Sequence, residues 1–245
     1  MQQMKPIRIA MWSGPRNIST AMMRAWGNRD DCTVWDEPLY GHYLFKTGIP
    51  HPGANEIIAA QGSDWQSIVE RCASDPPEEK RVFYQKHMTL HLLPEIDRQW
   101  LSRLNNCFLI REPEAVIASY AAVREGVTLD DIGFVQQAEL FDYVTRISGE
   151  IPLVIDSKEF LLDPESMLRG ICNRLALEFK TSMLSWETGP RDSDGVWGKF
   201  WYESVWNSSG FAPYREKPLT LGAREQAIAQ QARPYYEHLY RHRLV

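Results

Sequence analysis

The sequence predicts a three-layer α/β/α domain built on a central parallel sheet. Short apolar runs recur along the chain, and stretches with helical periodicity separate them. Strands that alternate with helices need crossover connections, which give a parallel sheet covered on both faces. The third observation is bulk. A chain of 245 residues with 44% apolar and 24% charged side chains can bury a sizeable core. No composition shift marks a second core, so residues 1–245 read as a single domain.

The segment 7–12 (IRIAMW) is the first expected strand, followed by the turn Ser13-Gly14-Pro15. A helix is expected from about Ile18 to Trp26, with Ala21, Met22, Ala25 and Trp26 sharing one face. Residues 31–35 read as a second strand that ends at Asp36-Glu37-Pro38. Residues 40–61 are rich in Gly, Pro and His and read as irregular. Asp64 is placed to cap a helix running to about Ala73.

Residues 81–86 are strand-like, Pro94 reads as the opening of another helix, and 106–110 form a buried parallel strand. Residues 112–124 and 130–148 read as helices, and 153–155 as the next strand. Asp163-Pro164 begins a helix through about Leu175, since proline costs little in a first helical turn. The stretch 188–218, dense in Trp, Gly and Pro, is expected to loop back over a site. A last helix contains Pro234 or breaks at it.

A net charge of −5 argues against a general nucleic-acid binder. It permits a small anionic ligand, because a local pocket can be positive on an acidic protein. Cys32, Cys72, Cys107 and Cys172 are far apart and form no C-x-x-C pair. A chain with this much core does not need disulfides. The N-terminal residues lack the apolar segment of a signal peptide, and no stretch reaches the ~18 apolar residues of a membrane span. The expectation is a reduced, cytoplasmic protein.

Two stretches carry the chemistry. The first strand-turn-helix junction holds Gly14-Pro15-Arg16-Asn17-Ile18-Ser19-Thr20. Backbone N–H groups at a helix N-terminus, with two hydroxyls and a guanidinium, make a phosphate cradle. The Gly-Lys-Ser/Thr ending of a Walker A loop is absent, which disfavours a P-loop kinase. The second stretch has Arg111 at a strand end, Pro113 after it, and Ser119 eight positions after the arginine. An Arg and a Ser at a helix start suit a phosphate through charge-assisted bonds.

Together these residues resemble the sulfotransferases that use 3′-phosphoadenosine 5′-phosphosulfate (PAPS), whose first loop often reads P-R-S-G-T-T. Two further segments agree with the resemblance: residues 87–94 (HMTLHLLP) and the strand, acidic turn and D-P helix of 156–175. It spans roughly residues 7–40 and 81–180, and implies the P-loop NTPase-like sulfotransferase fold. By it, Gly14 to Thr20 would hold the 5′-phosphosulfate and Arg111 with Ser119 the 3′-phosphate. Arg16 would stabilise charge on the bridging oxygen, and Lys86 would add positive charge beside the sulfuryl group. There are departures. Ile18 stands where the motif has glycine, so the loop cannot use positive φ there without strain. Asn17 replaces a serine, and the late R-K-G phosphate motif is not recognisable; Lys199 is the candidate substitute.

An acceptor hydroxyl must lose its proton as it attacks sulfur, and two residues compete to take it. His87 matches the histidine-using branch in register, and a histidine titrates near neutrality without tuning. Glu37, 21 positions after Arg16, resembles the glutamate base of the tyrosylprotein and trehalose-type branches. Glu37 is preferred, because Pro15-Arg16 looks more like the glutamate branches. His87 and His91 stand four apart, a metal-binding spacing if they share a helix, but no third ligand accompanies them. No metal is expected, since protein cations would supply the charge compensation. Trp186, Trp197, Trp201 and Trp206 read as core or lid rather than as an adenine platform. The expected partner is a small-molecule acceptor, with its hydroxyl or amine as the nucleophile. The rival class is a non-catalytic sensor of adenosine 3′,5′-bisphosphate.

Overall fold

The computed structural model describes residues 5–123, 126–216 and 219–245. Among them five parallel strands form one sheet: β1 (Ile7–Ser13), β2 (Cys32–Asp36), β3 (Val82–Met88), β4 (Asn105–Ile110) and β5 (Leu153–Asp156). Their order across the sheet is β2-β3-β1-β4-β5. The chain therefore leaves β1 toward one edge, returns, and jumps across β1 to build the other half. That reversal creates a crevice at the carboxyl ends of the strands beside β1, where ligands of open α/β sheets bind.

The pleat sorts the core into two layers. Ala10, Trp12, Phe108, Ile110 and Val154 point to one face. There they meet α4 (Trp65–Cys72), α5 (Pro113–Ala121), α7 (Phe134–Ser148) and α12 (Ala223–Tyr240). Ile9, Met11, Tyr84, Leu109 and Ile155 point to the other, under α1 (Ser19–Gly27) and α9 (Pro164–Arg174). On α1, Met22, Ala25 and Trp26 are buried as their spacing predicts, while Ala21 is only half-buried. Asp64 caps α4 by accepting from the Gln66 N–H, and Asp163 caps α9 through Ser166. Pro234 lies inside α12.

Three expectations need correction. The segment 40–61 is not irregular but forms two helices, α2 (Tyr40–Thr47) and α3 (Ala54–Gln61). Apart from Gly41, inside α2, its glycines and prolines lie between the helices: Gly48 ends α2 at φ 62°, and Gly53 precedes α3 at φ 72°. Buried Tyr40, Leu44 and Ile57 make a third small core with Trp197 and Tyr202, and that tertiary packing is what the local composition hid. Pro94 does not open a helix. The chain turns instead until a 3₁₀ segment at Gln99–Arg103, held by burial of Ile96, Trp100 and Leu101. The stretch 130–148 is two helices, α6 (Leu129–Ile132) and α7, divided at Gly133 with φ 70°.

The short helices α8 (Ser157–Leu162), α10 (Gly198–Trp201) and α11 (Glu203–Trp206) complete the described α-helices. Arg124, Pro218 and the N-terminal residues 1–4, where expected segments end or begin, lie outside the described residues. No helix among the described residues is long and apolar enough to cross a membrane.

Candidate active site

The first loop and the fourth strand meet. Arg16 Nε donates to the Ser119 Oγ at 3.0 Å, and Arg111 Nη1 donates to the Arg16 carbonyl at 2.5 Å. Residues 95 and 103 positions apart are thus joined at the carboxyl ends of β1 and β4. Burial, and then the neighbouring Arg16 charge, hold the Arg111 guanidinium below its ordinary pKa. Two cations side by side, with no carboxylate within salt-bridge distance among the described residues, favour an anion between or beside them.

The loop owes its shape to two residues. Arg16 itself takes positive φ, 57°, so the left-handed turn falls two residues before Ile18, whose φ is −84°. Gly14 is required by crowding: a Cβ there would stand 2.8 Å from the Ile132 carbonyl oxygen at the end of α6. Asn17 is spent on the fold, donating to the Leu109 carbonyl at 3.1 Å and accepting from the Ile18 N–H at 2.8 Å. Ser19 is buried in the first turn of α1, with Thr20 half-buried beside it, and Pro15 is half-buried in the loop.

Beside this junction lies a cavity of about 470 Å³, within the range of small-ligand pockets. Ile18, Arg111, Glu112, Lys158, Tyr214 and Arg215 line it, with α8 as one wall. The Lys158 ammonium sits 5.5 Å from the centre of the Tyr214 ring, and the Tyr214 N–H reaches the Leu161 carbonyl at 3.4 Å. Lys158, Tyr214 and Arg215 were not singled out from sequence. The Tyr214-Arg215 pair has no motif around it, and only the return of the chain across α8 brings it to the cavity. None of the four late tryptophans lines this cavity: Trp186 and Trp197 are buried in the core, and Trp201 is 41% exposed.

A second cluster sits at the carboxyl ends of β2 and β3. The buried Lys86 ammonium donates to Asp36 Oδ1 at 2.9 Å, to the Tyr202 hydroxyl at 2.8 Å, and to Glu37 Oε1. Burial alone would lower the Lys86 pKa, but the two carboxylates outweigh it and hold the pKa above its ordinary value. In a regular strand Glu37 would face away from Lys86. Its φ of 40° turns it back, while its N–H stays bonded to the Lys86 carbonyl at 2.8 Å. Arg16 and Glu37 are thus both non-glycine residues in the left-handed region. Such strain collects where a site over-determines the backbone.

His87 is on the opposite face of β3 from Lys86. It is 1% exposed, its ring stacks on Trp12 at 4.3 Å, and its Nε2 faces Gln85 Oε1 at 3.2 Å. Burial, then His91 and Lys86, push its pKa down to about 3. His91 lies in a 3₁₀ turn rather than on a helix with His87, so the metal-binding spacing is not realised. Lys199 is not brought to the first loop. It pairs with Glu56 of α3 at 2.6 Å, at the β2 end of the molecule, whereas Arg111 and Ser119 belong to β4 and α5.

The sulfotransferase domain model matches residues 7–243, nearly the whole chain. The chain belongs to the sulfotransferase domain family. This sulfotransferase domain is 31% identical over 234 residues to branched-chain-amino-acid aminotransferase-like protein 2 of Arabidopsis thaliana, covering 96% of the chain and 41% of that protein. It is 32% identical over 238 residues to protein 1 of the same name and species, covering 97% and 42%. The chain therefore spans about two-fifths of the length of these curated relatives.

Among solved structures, the sulfotransferase domain of the Synechococcus PCC 7002 olefin synthase superposes with a TM-score of 0.54 at 16% identity, covering 93% of this chain and 94% of that one. The sulfotransferase of Alicyclobacillus acidocaldarius gives 0.53 at 10% identity, covering 98% and 97%. The sulfotransferase domain of the curacin biosynthetic pathway gives 0.51 at 15%, covering 92% and 97%. At these identities the likeness is one of fold. Family and fold together support sulfotransfer as the general chemistry of this domain.

Proposed function

We propose that this sulfotransferase domain moves a sulfuryl group from PAPS to the hydroxyl or amine of a small-molecule acceptor. The observation that carries the reading is the Arg16–Ser119–Arg111 junction beside the 470 Å³ cavity, where Arg111, Lys158 and Arg215, none in a salt bridge among the described residues, outnumber the one lining carboxylate, Glu112, in a space of nucleotide size. PAPS fits this chemistry as a donor substrate. Arg111, Lys158 and Arg215 would hold the 3′-phosphate side, and Tyr214 offers a ring to the base. The loop from Gly14 to Thr20 would hold the phosphosulfate with backbone N–H groups at the start of α1. Lys199, bound to Glu56, has no part in this reading.

Glu37 is the base in this proposal. It accepts the acceptor proton as the new bond to sulfur forms and the bond from sulfur to the bridging oxygen breaks. The electron pair of that bond stays on the 5′-phosphate, where Arg16 and the loop N–H groups stabilise the added charge. The neighbouring strands are about 4.8 Å apart, so β2 and β1 are separated by roughly 10 Å, a span the phosphosulfate can bridge toward Glu37. Lys86 has no free proton for the sulfuryl group, because all three are donated within the protein.

Calorimetry tests the donor reading. Adenosine 3′,5′-bisphosphate should bind far more tightly than 5′-AMP, and Arg111→Ala should remove most of the difference, on the order of 1.5–3 kcal/mol for a lost charged hydrogen bond. Equal affinity of the unmodified protein for the two nucleotides would sink the assignment. A sulfate-transfer assay over an acceptor library then separates an enzyme from a nucleotide sensor.

A further inference from the structure

The Lys86 cluster contains more than the base needs. Lys86, Asp36 and Tyr202 are all buried, and Glu37 is 8% exposed. Tyr202, 166 positions after Asp36, donates its hydroxyl proton to Asp36 Oδ2 at 2.7 Å and accepts from Lys86. Trp197 Nε1 donates to the same hydroxyl at 2.9 Å, and the Gly195 N–H donates to Asp36 Oδ2 at 3.1 Å. The segment 195–202 therefore fixes both Asp36 and the lysine.

An ammonium group has three protons. Asp36 and Tyr202 take two, which leaves one, directed at Glu37 Oε1. Glu37 Oε2 receives no hydrogen bond among the described side chains, and His91 Nδ1, at 3.7 Å, is too far to bond. The charges also matter. Lys86 with Glu37 alone would be a neutral pair that weakens the carboxylate as a base. Burial raises the Asp36 pKa and the Lys86 charge opposes that rise; ionised, Asp36 offsets the lysine, so that the three groups keep one net negative charge next to the acceptor.

We propose that Asp36 and Tyr202 are positioning residues for sulfuryl transfer: they occupy two protons of Lys86 and offset its charge, so that its third proton fixes Glu37 with Oε2 free for the acceptor. This inference rests on the reading of Glu37 as the base. The titratable groups facing Glu37 are Lys86 from β3, Asp36 from β2, Tyr202 after α10, Tyr40 from α2, and His91 from the 3₁₀ turn. Tyr43 and His51 lie behind these, against His91 and Tyr40. Burial, with Lys86 next, holds His91 neutral, and burial raises Tyr40, so neither changes charge over the working range.

The test is carbon-detected NMR of the full chain labelled at glutamate Cδ, with the Glu37 signal assigned by Glu37→Gln. Asp36→Asn removes the offset and should move the Glu37 midpoint down by about one pH unit, roughly a tenfold loss of proton affinity. Lys86→Met should move it up. Opposite shifts show that both charges act on Glu37, and a pair placed too far away to act on its charge would give none. Tyr202→Phe keeps every charge. With nitrogen-labelled lysine, it should speed proton exchange at the Lys86 ammonium at least tenfold relative to the unmodified protein. An unmoved Glu37 midpoint in either folded charge variant, or unchanged lysine exchange in Tyr202→Phe, would overturn the proposal. Adenosine 3′,5′-bisphosphate binding is measured on each variant. Its failure in the unmodified protein counts against the donor reading alone, while retained binding with no shift counts against the positioning role alone.

Discussion

Glu37 and His87 are both near the ends of adjacent strands, yet they differ in what surrounds them. Glu37 is held by a lysine and has one oxygen without a hydrogen bond among the described side chains, whereas His87 is stacked on Trp12 within the core. Glu37→Gln should lower single-turnover transfer by about 10²–10⁴-fold with nucleotide affinity nearly unchanged. His87→Asn should cost far less in rate. The opposite ranking would assign the chemistry to the histidine. His87 also has a stability consequence. Its folded pKa of about 3 lies below the ordinary histidine value, so the unfolded chain binds a proton that the folded one refuses. Its contribution is complete above about pH 6.5 and falls away as the pH drops toward the folded value. Thermal melts between pH 7 and 5 should show a shallower decline in His87→Asn than in the parent. An identical slope would mean the ring is not kept neutral by burial.

Among the elements, the first loop and α6 are locked by contact rather than by motif. The Gly14 Cα faces the last carbonyl of α6, and a methyl group there would meet the backbone oxygen at 2.8 Å. Backbone cannot yield as a flexible side-chain tip can. Gly14→Ala should therefore destabilise by about 1–3 kcal/mol, the usual cost of overpacking, and weaken adenosine 3′,5′-bisphosphate binding by displacing the loop. Melting temperature and calorimetry on the same preparation check both effects. Unchanged affinity in a destabilised variant would show that α6 supports the fold without shaping the cradle.

Across the whole molecule, the late segment 188–206 is fastened to the first half by buried charge. Arg24 of α1 and Asp194 pair at 2.6 Å with 1% and 4% side-chain exposure, and Asp194 also accepts from Trp206 Nε1 at 2.9 Å. Removing one partner leaves the other charge buried and unpaired, so Asp194→Ala should cost about 3–5 kcal/mol. Adding Arg24→Met should recover part of that loss. A double-mutant cycle in denaturant gives the coupling directly, and additive effects would show that the pair does not act as a unit. Because Gly195 and Tyr202 hold Asp36, loosening this segment should also disturb the Lys86 cluster.

The sequence by itself determined the sheet and most of its helices, and it marked the first loop and the Arg111–Ser119 stretch as two motifs linked only by their resemblance to the sulfotransferases. Strand and helix periodicity are local properties, and the loop and strand-end motifs lie within short windows. Residues 40–61 read as irregular because Gly48, Pro50, Pro52 and Gly53 mark the break between two helices, while the burial of Tyr40, Leu44 and Ile57 against Trp197 and Tyr202 depends on residues far along the chain. The candidate site divides the same way. Arg16, Glu37, Lys86 and Arg111 are legible because each sits at a strand end that the pattern already marks. Tyr202, Lys158, Tyr214 and Arg215 carry no local signal; they reach the site only when the chain packs back over the strand ends. Only the tertiary structure decided which face of β3 each candidate occupies and which groups consume the protons of Lys86. Hydrogen-bond partners and burial are set by three-dimensional neighbours, and those set both the charge and the reach of a side chain.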